Sequence, residues 1–211
     1  MNYKAFIFDL DGVICHTDKY HYQAWKSLAN KLSIPFDEIK NNRLRGVSRM
    51  ESLDIVLEGS GLLLSPEEKQ VLAEEKNETY RALLMNMSPA DLSDEVKNTL
   101  IKLRELGYHL AIGSSSKNAP LILDKIGLGE FFDVISDGNN ITKSKPDPEV
   151  FLIAAEHLGI EPNGCIVVED AIAGLEAAKA AGMKAAAIGD AAGSELADWS
   201  LNSFQDLLRI V

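Results

Sequence analysis

The stretch IFDLDGV, residues 7–13, ends an apolar run in two aspartates one residue apart, Asp9 and Asp11, and then a glycine. Far downstream, CIVVED closes on Glu169 and Asp170, HLAIGSS carries Ser114, and FDVISD closes on Asp137. Lys145 lies in KSKPDP, with Lys143 two residues before it. Carboxylates gathered at one edge repel each other and are costly to assemble unless a cation neutralises them. Hard oxygen ligands with room for water suit Mg²⁺. Each of these residues also has a plainer reading. Asp and Gly are ordinary turn formers, and a lysine is usually solvated.

The elements that must position these residues follow from periodicity. Short apolar, β-rich runs recur at 5–9, 109–115, 132–137, 165–170 and 184–190. Helical patterns lie between the later ones, at 93–107, 148–159 and 171–182. The pattern at 148–159 places Asp147 as N-cap and Pro148 at the first helical position. Apolar strands alternating with helices predict an α/β fold, a Rossmann-like parallel sheet core with helices on both faces. In such sheets ligands bind beyond the carboxyl ends of the strands, at the point where strand order reverses. Asp9, Asp11, Ser114, Asp137, Glu169 and Asp170 sit at such ends, while Lys145 lies just before a capped helix. The first strand breaks the rhythm, because the gap to the next is too long for one crossover. The intervening residues read as helical. HYQAWKSLANKLS (21–33) has a stripe of Ala24, Trp25, Leu28 and Leu32. SPEEKQVLAEEKNETYRALL (65–84) opens with a capping box between Ser65 and Glu68, with Pro66 first in the helix. The expected organisation is a catalytic core of residues 1–16 and 88–211 with an inserted all-helical cap domain, residues 17–87.

Bulk properties exclude several classes. The chain has 211 residues, 46% of them hydrophobic, enough to bury a real core. A net charge of -11 disfavours a nucleic-acid binder. Cys15 and Cys165 lack the close pairing of a zinc or redox motif, and are read as reduced and buried in a cytoplasmic protein. The N-terminus enters a strand pattern at once, so no signal peptide is expected, and no apolar run is long enough for a membrane span. No nucleic acid or membrane is therefore expected as partner.

Together, FDLDGV, GSSSKN, KSKPDP and VVEDAIAG resemble the four ordered motifs of the haloacid-dehalogenase superfamily of phosphotransferases, across essentially the whole chain. The resemblance implies that Asp9 is a nucleophile forming an aspartyl phosphate. Mg²⁺ would be held by Asp9, Glu169 and Asp170, with the main-chain carbonyl of Asp11. The transferred phosphoryl spreads charge over its oxygens, so fixed cations and donors matter most. Lys145 and Ser114 fit that need, with Lys143 the weaker candidate. Asp11 is absent from the carbon-attacking dehalogenases. In the phosphotransferases it is the general acid and base.

The remaining motifs resemble the β-phosphoglucomutase subfamily. Arg49, in RGVSRM, would hold a second, non-reacting phosphate with Ser116, Lys117 and Asn118. His21 and Lys76 would link cap to core, Thr17 would gate closure, and Gly46 and Val47 would face the sugar. The substrate would be a small sugar phosphate and the protein a monomer whose cap swings freely. The plainer readings are a surface histidine at His21, a solvated lysine at Lys76 in a charge-crowded helix, and cap packing for Tyr20, Tyr22 and Trp25. The alternatives to a mutase are a sugar-phosphate or nucleotide phosphatase on the same core, and a catalytically silent binding protein, against which the complete set of acids speaks.

Overall fold

The structure, a computed structural model, describes residues 3–44 and 47–210. The chain divides into two compact units: Met1–His16 with Ser88–Val211, and Thr17–Met87.

The first unit is an α/β layer structure. Its strands are β1 (Ala5–Phe8), β2 (His109–Gly113), β3 (Val134–Ser136), β4 (Cys165–Glu169), β5 (Lys184–Ala187) and β6 (Trp199–Ser200). They form one sheet in the order β3-β2-β1-β4-β5-β6, with every pairing parallel. From β1 the chain builds outward to β3 on one side, then returns to build β4 to β6 on the other. β1 is therefore the point where strand order reverses, and its carboxyl end is where a ligand site belongs.

Alternation along β1 explains why both sheet faces are covered. Ala5 and Ile7 join a cluster with Ala111, Val167, Phe151 and Leu175, the last two from α7 (Glu149–Leu158) and α8 (Ile172–Ala180). Phe6 and Phe8 point to the opposite face. There Phe8 stacks on Phe204 at 5.7 Å, and Phe6 meets Tyr108 edge-on at 5.3 Å. Helix α5 (Asp94–Glu105) is capped by Ser93 and buries Val96, Leu100 and Leu103.

The second unit is all-helical among the described residues: α1 (Asp18–Lys31), α2 (Glu38–Asn42), α3 (Arg49–Leu57) and α4 (Pro66–Leu84). Its own core is Trp25, Leu28, Ala29, Ile34, Phe36, Leu53, Val56 and Ala73, so it buries apolar surface independently of the sheet. Ser48 and Ser65 each open a helix with a reciprocal capping box, to Glu51 and Glu68.

Three details depart from the sequence reading. Helix α7 begins at Glu149, with Pro148 as N-cap, although Asp147 Oδ1 still accepts the Glu149 N–H at 3.1 Å. Helix α1 starts earlier than expected, at Asp18. Strand β6, only two residues long, was invisible to periodicity. No helix among the described residues is long and apolar enough to cross a membrane.

Removing a capping side chain leaves helix N–H groups unsatisfied and costs about 1 kcal/mol. Ser65→Ala should therefore lower the melting temperature by about 2–4 °C in a thermal scan. An unchanged midpoint would show that the Ser65–Glu68 box contributes nothing.

Candidate active site

Register brings the acids together. Phe8 pairs with Val168 across β1 and β4, and the Asp9 N–H donates to the Val168 carbonyl at 2.9 Å. Asp9 and Glu169 thus leave adjacent strands at the same level, with Asp170 one residue beyond. One carboxylate oxygen from each of the three lies within 4.8 Å of the others. Glu169 is 1% exposed and Asp9 8% exposed.

Lys145 enters this cluster from the loop between β3 and α7. Its ammonium donates to Asp9 Oδ1 at 2.5 Å and to Glu169 Oε1. Burial opposes its charge, but the Asp9 and Glu169 carboxylates more than reverse that, holding it protonated above the usual lysine range. The acids remain strained by one another. Burial, then the Asp9 and Glu169 charges, push Asp170 up to about 8. Burial and Asp9 also raise Glu169, against the pull of Lys145. When all are ionised, three carboxylates against one ammonium leave two negative charges in excess. That surplus and the oxygen-only donor set fit a divalent cation.

Neighbouring backbone fixes the acid positions. Glu169 Oε2 accepts the N–H groups of Asp170 at 3.0 Å and Ala171 at 3.1 Å. Its carboxylate lies against Gly174 of α8, where an added Cβ would sit 1.9 Å from Oε1. The glycine of VVEDAIAG is thus required by close approach of the carboxylate.

The lysine loop is held by Glu149, which the sequence reading did not single out. Its carboxylate accepts the N–H groups of Thr142 at 2.9 Å and Lys143 at 2.7 Å, and the Thr142 hydroxyl. These donors hold the Glu149 carboxyl below its ordinary range, the Lys143 N–H most of all. Lys143 is exposed and pairs with Asp147 at 3.3 Å, whereas Lys145 is the lysine that reaches Asp9.

Ser114, at the end of β2, accepts the Ser116 N–H on its hydroxyl at 3.2 Å, and Ser116 accepts the Asn118 N–H at 3.2 Å. Helix α6 (Ala119–Lys125) follows, with Asn118 as N-cap. The half-buried Asp11 lies in the turn after β1, where the Gly12 N–H donates to the Cys15 carbonyl at 2.7 Å. Cys15 and Cys165 are both free and buried, and burial, then the Asp11 and Asp9 charges, push the Cys15 thiol up. Asp137 corrects the sequence reading: it does not join the acid cluster, and instead accepts from the Asn139 N–H and side-chain amide.

In the helical unit, Thr17 is the buried N-cap of α1, and its carbonyl accepts the His21 N–H at 3.1 Å. His21 Nδ1 lies 3.0 Å from Lys76 Nζ, and the His21 ring stacks on Tyr80 at 4.0 Å. Lys76 is 4% exposed and sits 4.7 Å from the ring centroids of both Trp25 and Tyr80, so the solvated-lysine reading fails. An ammonium only donates. His21 Nδ1 must therefore accept, which places its proton on Nε2. Burial, then the Lys76 and Arg49 charges, lower the His21 pKa well below its ordinary value. Arg49 donates to Asn77 Oδ1 at 2.9 Å and pairs with Glu74 at 3.3 Å. Val47 is partly exposed, and Gly46, also expected to face a sugar, lies outside the described residues. The roles of Glu149, Asn77 and Asn139 carried no sequence signal beyond ordinary turn and helix residue types, because each acts through backbone or long-range partners.

Two measurements check this geometry. Gly174→Ala should displace the Glu169 carboxylate and weaken divalent-cation binding about 10–100-fold by calorimetry; unchanged affinity would contradict the placement. His21 should remain neutral as pH falls through 6.5, its ordinary value, with the Nε2–H tautomer visible in imidazole nitrogen NMR. In the unfolded chain the ring protonates there, so His21 contributes stability that is lost as pH falls below that value. Protonation of His21 in the folded protein near its ordinary value would refute the neutral assignment.

Comparison with known proteins agrees with this architecture. The haloacid dehalogenase-like hydrolase family model matches residues 3–182. Beta-phosphoglucomutase from Bacillus subtilis (strain 168) is 43% identical over 188 residues, spanning 88% of this chain and 83% of that protein. Phosphorylated carbohydrates phosphatase from Thermotoga maritima is 33% identical over 183 residues, spanning 86% and 82%. The crystal structure of beta-phosphoglucomutase from Clostridium difficile superimposes with a TM-score of 0.90 at 39% identity, covering 98% of this chain and 93% of that one. The family model spans both the first aspartate motif and the Glu169–Asp170 strand end, and on that breadth the chain belongs to the haloacid dehalogenase-like hydrolase family.

Proposed function

We propose that this protein is a β-phosphoglucomutase, interconverting β-D-glucose 1-phosphate and D-glucose 6-phosphate through an aspartyl-phosphate enzyme and β-glucose 1,6-bisphosphate. The observation that carries the chemistry is the Asp9–Lys145–Glu169 contact at the strand-order reversal. Similarity to beta-phosphoglucomutases at 43% and 39% identity supports the substrate.

Asp9 attacks the phosphorus of the bisphosphate, and the bond from phosphorus to the departing sugar oxygen breaks. Asp11 gives that oxygen a proton. In the return direction Asp11 takes the proton from the sugar hydroxyl that attacks the aspartyl phosphate. Lys145 and Ser114 present donors to the phosphoryl oxygens, whose charge dominates this kind of transfer. Bound Mg²⁺, held by Asp9, Glu169, Asp170 and the Asp11 carbonyl, would supply charge neutralisation at the same oxygens. Ser116, Lys117, Asn118 and Arg49 are assigned to the phosphate that does not react. Thr17, His21, Lys76, Gly46 and Val47 are assigned to closure and sugar recognition. The protein would act as a cytoplasmic monomer.

A second reading, a phosphatase, is favoured by the likeness to the Thermotoga maritima phosphatase. An assay with β-glucose 1-phosphate and a trace of its 1,6-bisphosphate separates the two. Glucose 6-phosphate without stoichiometric inorganic phosphate is expected; phosphate release alone rejects the mutase. Arg49→Ala should cripple a mutase yet affect monophosphate hydrolysis only mildly. Asp11→Ala should keep divalent-cation binding, because its contribution there is a main-chain oxygen, while turnover falls about 10²–10⁴-fold. A much smaller loss would remove Asp11 from proton transfer.

A further inference from the structure

Asp137 stands at a strand end like the other acids, yet takes no part in the cluster, and its surroundings show a different task. The turn Asp137–Asn140 is fastened at both ends. Asn140 Oδ1 accepts the Asp137 N–H at 3.0 Å and the Ser136 hydroxyl at 3.4 Å. The buried Asp137 carboxylate accepts the Asn139 N–H at 2.8 Å and the Asn139 side-chain amide at 3.1 Å. The same Asn139 amide then donates to the Lys117 main-chain carbonyl at 3.0 Å.

Two further contacts tie this turn to the Ser114–Asn118 loop. The Gly138 N–H donates to the Ser116 carbonyl at 3.3 Å. Position 138 also has no room for a side chain, since a Cβ there would lie 2.5 Å from the Ser115 carbonyl oxygen and 2.9 Å from the Lys117 nitrogen. The turn therefore grips the carbonyl side of a loop at successive residues. Carbonyls held on one side orient the peptide planes, and with them the N–H groups and side chains of Ser116, Lys117 and Asn118.

We propose that the Asp137–Asn140 turn is a brace that sets the phosphate-facing conformation of the Ser116–Lys117–Asn118 loop, with Asn139 as a positioning residue for the non-reacting phosphate. Asn139 reaches the loop only through the Lys117 carbonyl, so its effect falls on affinity for a substrate carrying that phosphate, and not on transfer at Asp9. This rests on the mutase reading, in which the loop holds the second phosphate of the bisphosphate.

The test is steady-state conversion of β-glucose 1-phosphate at varied β-glucose 1,6-bisphosphate, for the native protein, Asn139→Ala and Gly138→Ala. Asn139→Ala removes two side-chain hydrogen bonds, and losing the one that holds the loop, to the Lys117 carbonyl, predicts a rise of about three- to tenfold in the KM for bisphosphate. The kcat should be unchanged, while the melting temperature falls by a few degrees because the buried Asp137 carboxylate loses a donor. Gly138→Ala, which forces the loop to move, should raise that KM further. Phosphorylation of Asp9 by acetyl phosphate, a donor without a second phosphate, should proceed at the native rate in Asn139→Ala. A native protein that makes no glucose 6-phosphate would overturn the mutase reading and the brace with it. Native turnover with an unchanged bisphosphate KM in both variants would overturn the brace alone. So would a fall in kcat, or in the acetyl phosphate rate, without a change in KM.

Discussion

A buried ammonium between two buried carboxylates is the constraint on which the rest of this structure depends. Lys145 reaches Asp9 and Glu169 where all three are almost removed from solvent. Burying separate charges is expensive, and a pair is tolerated only with close contact and satisfied remaining donors and acceptors. The structure meets that condition with the lysine on one oxygen of Glu169 and two backbone N–H groups on the other. One lysine cannot balance three acids. Burial, and then the neighbouring negative charges, raise the pKa values of Asp170 and Glu169, and the surplus charge gives the site its fitness for a divalent cation.

The parallel sheet makes this cluster possible. β1 is central because the chain builds outward on one side and then on the other, so Asp9 has β2 and β4 as immediate neighbours. Its acidic partners arrive from β4 in register, its lysine from the loop held by Glu149, and Ser114 from the end of β2. Helix α8 can approach Glu169 only because residue 174 has no side chain. The helical unit is organised by a different principle. A donor-only lysine faces a neutral histidine among aromatic rings, and an arginine is held by Asn77 and Glu74.

Much of this was legible in the sequence, because parallel strands are continuous apolar runs and their ends are abrupt. Asp9, Glu169 and Asp170 could be placed at one edge from that alone, and Ser65 and Glu68 announced α4 by their spacing. Asp137 was grouped with the acids by the same rule and proved otherwise. A strand-end position says where a side chain starts, while Asn139 and Asn140, both turn residues, decide where it is used. Residue type alone made Lys76 look solvated, because its helix is crowded with charge, and it was the resemblance that gave it a role beside His21; the fold shows it facing His21 and two aromatic rings. Pro148 suits either the cap or the first helical position, which left that boundary one residue uncertain. β6 is too short to show any period. Glu149 grips backbone N–H groups six and seven residues away, a contact that no pattern of side-chain types encodes.

The central claim is that this acidic cluster exists so that its first member can carry a phosphoryl group. Its most direct test is mass spectrometry of the protein quenched in acid after brief exposure to β-glucose 1,6-bisphosphate and Mg²⁺. The account predicts one added phosphoryl group, located on Asp9 and absent from the Asp9→Asn variant. A phosphoryl group on another residue, or none at any time point during active turnover, would contradict it.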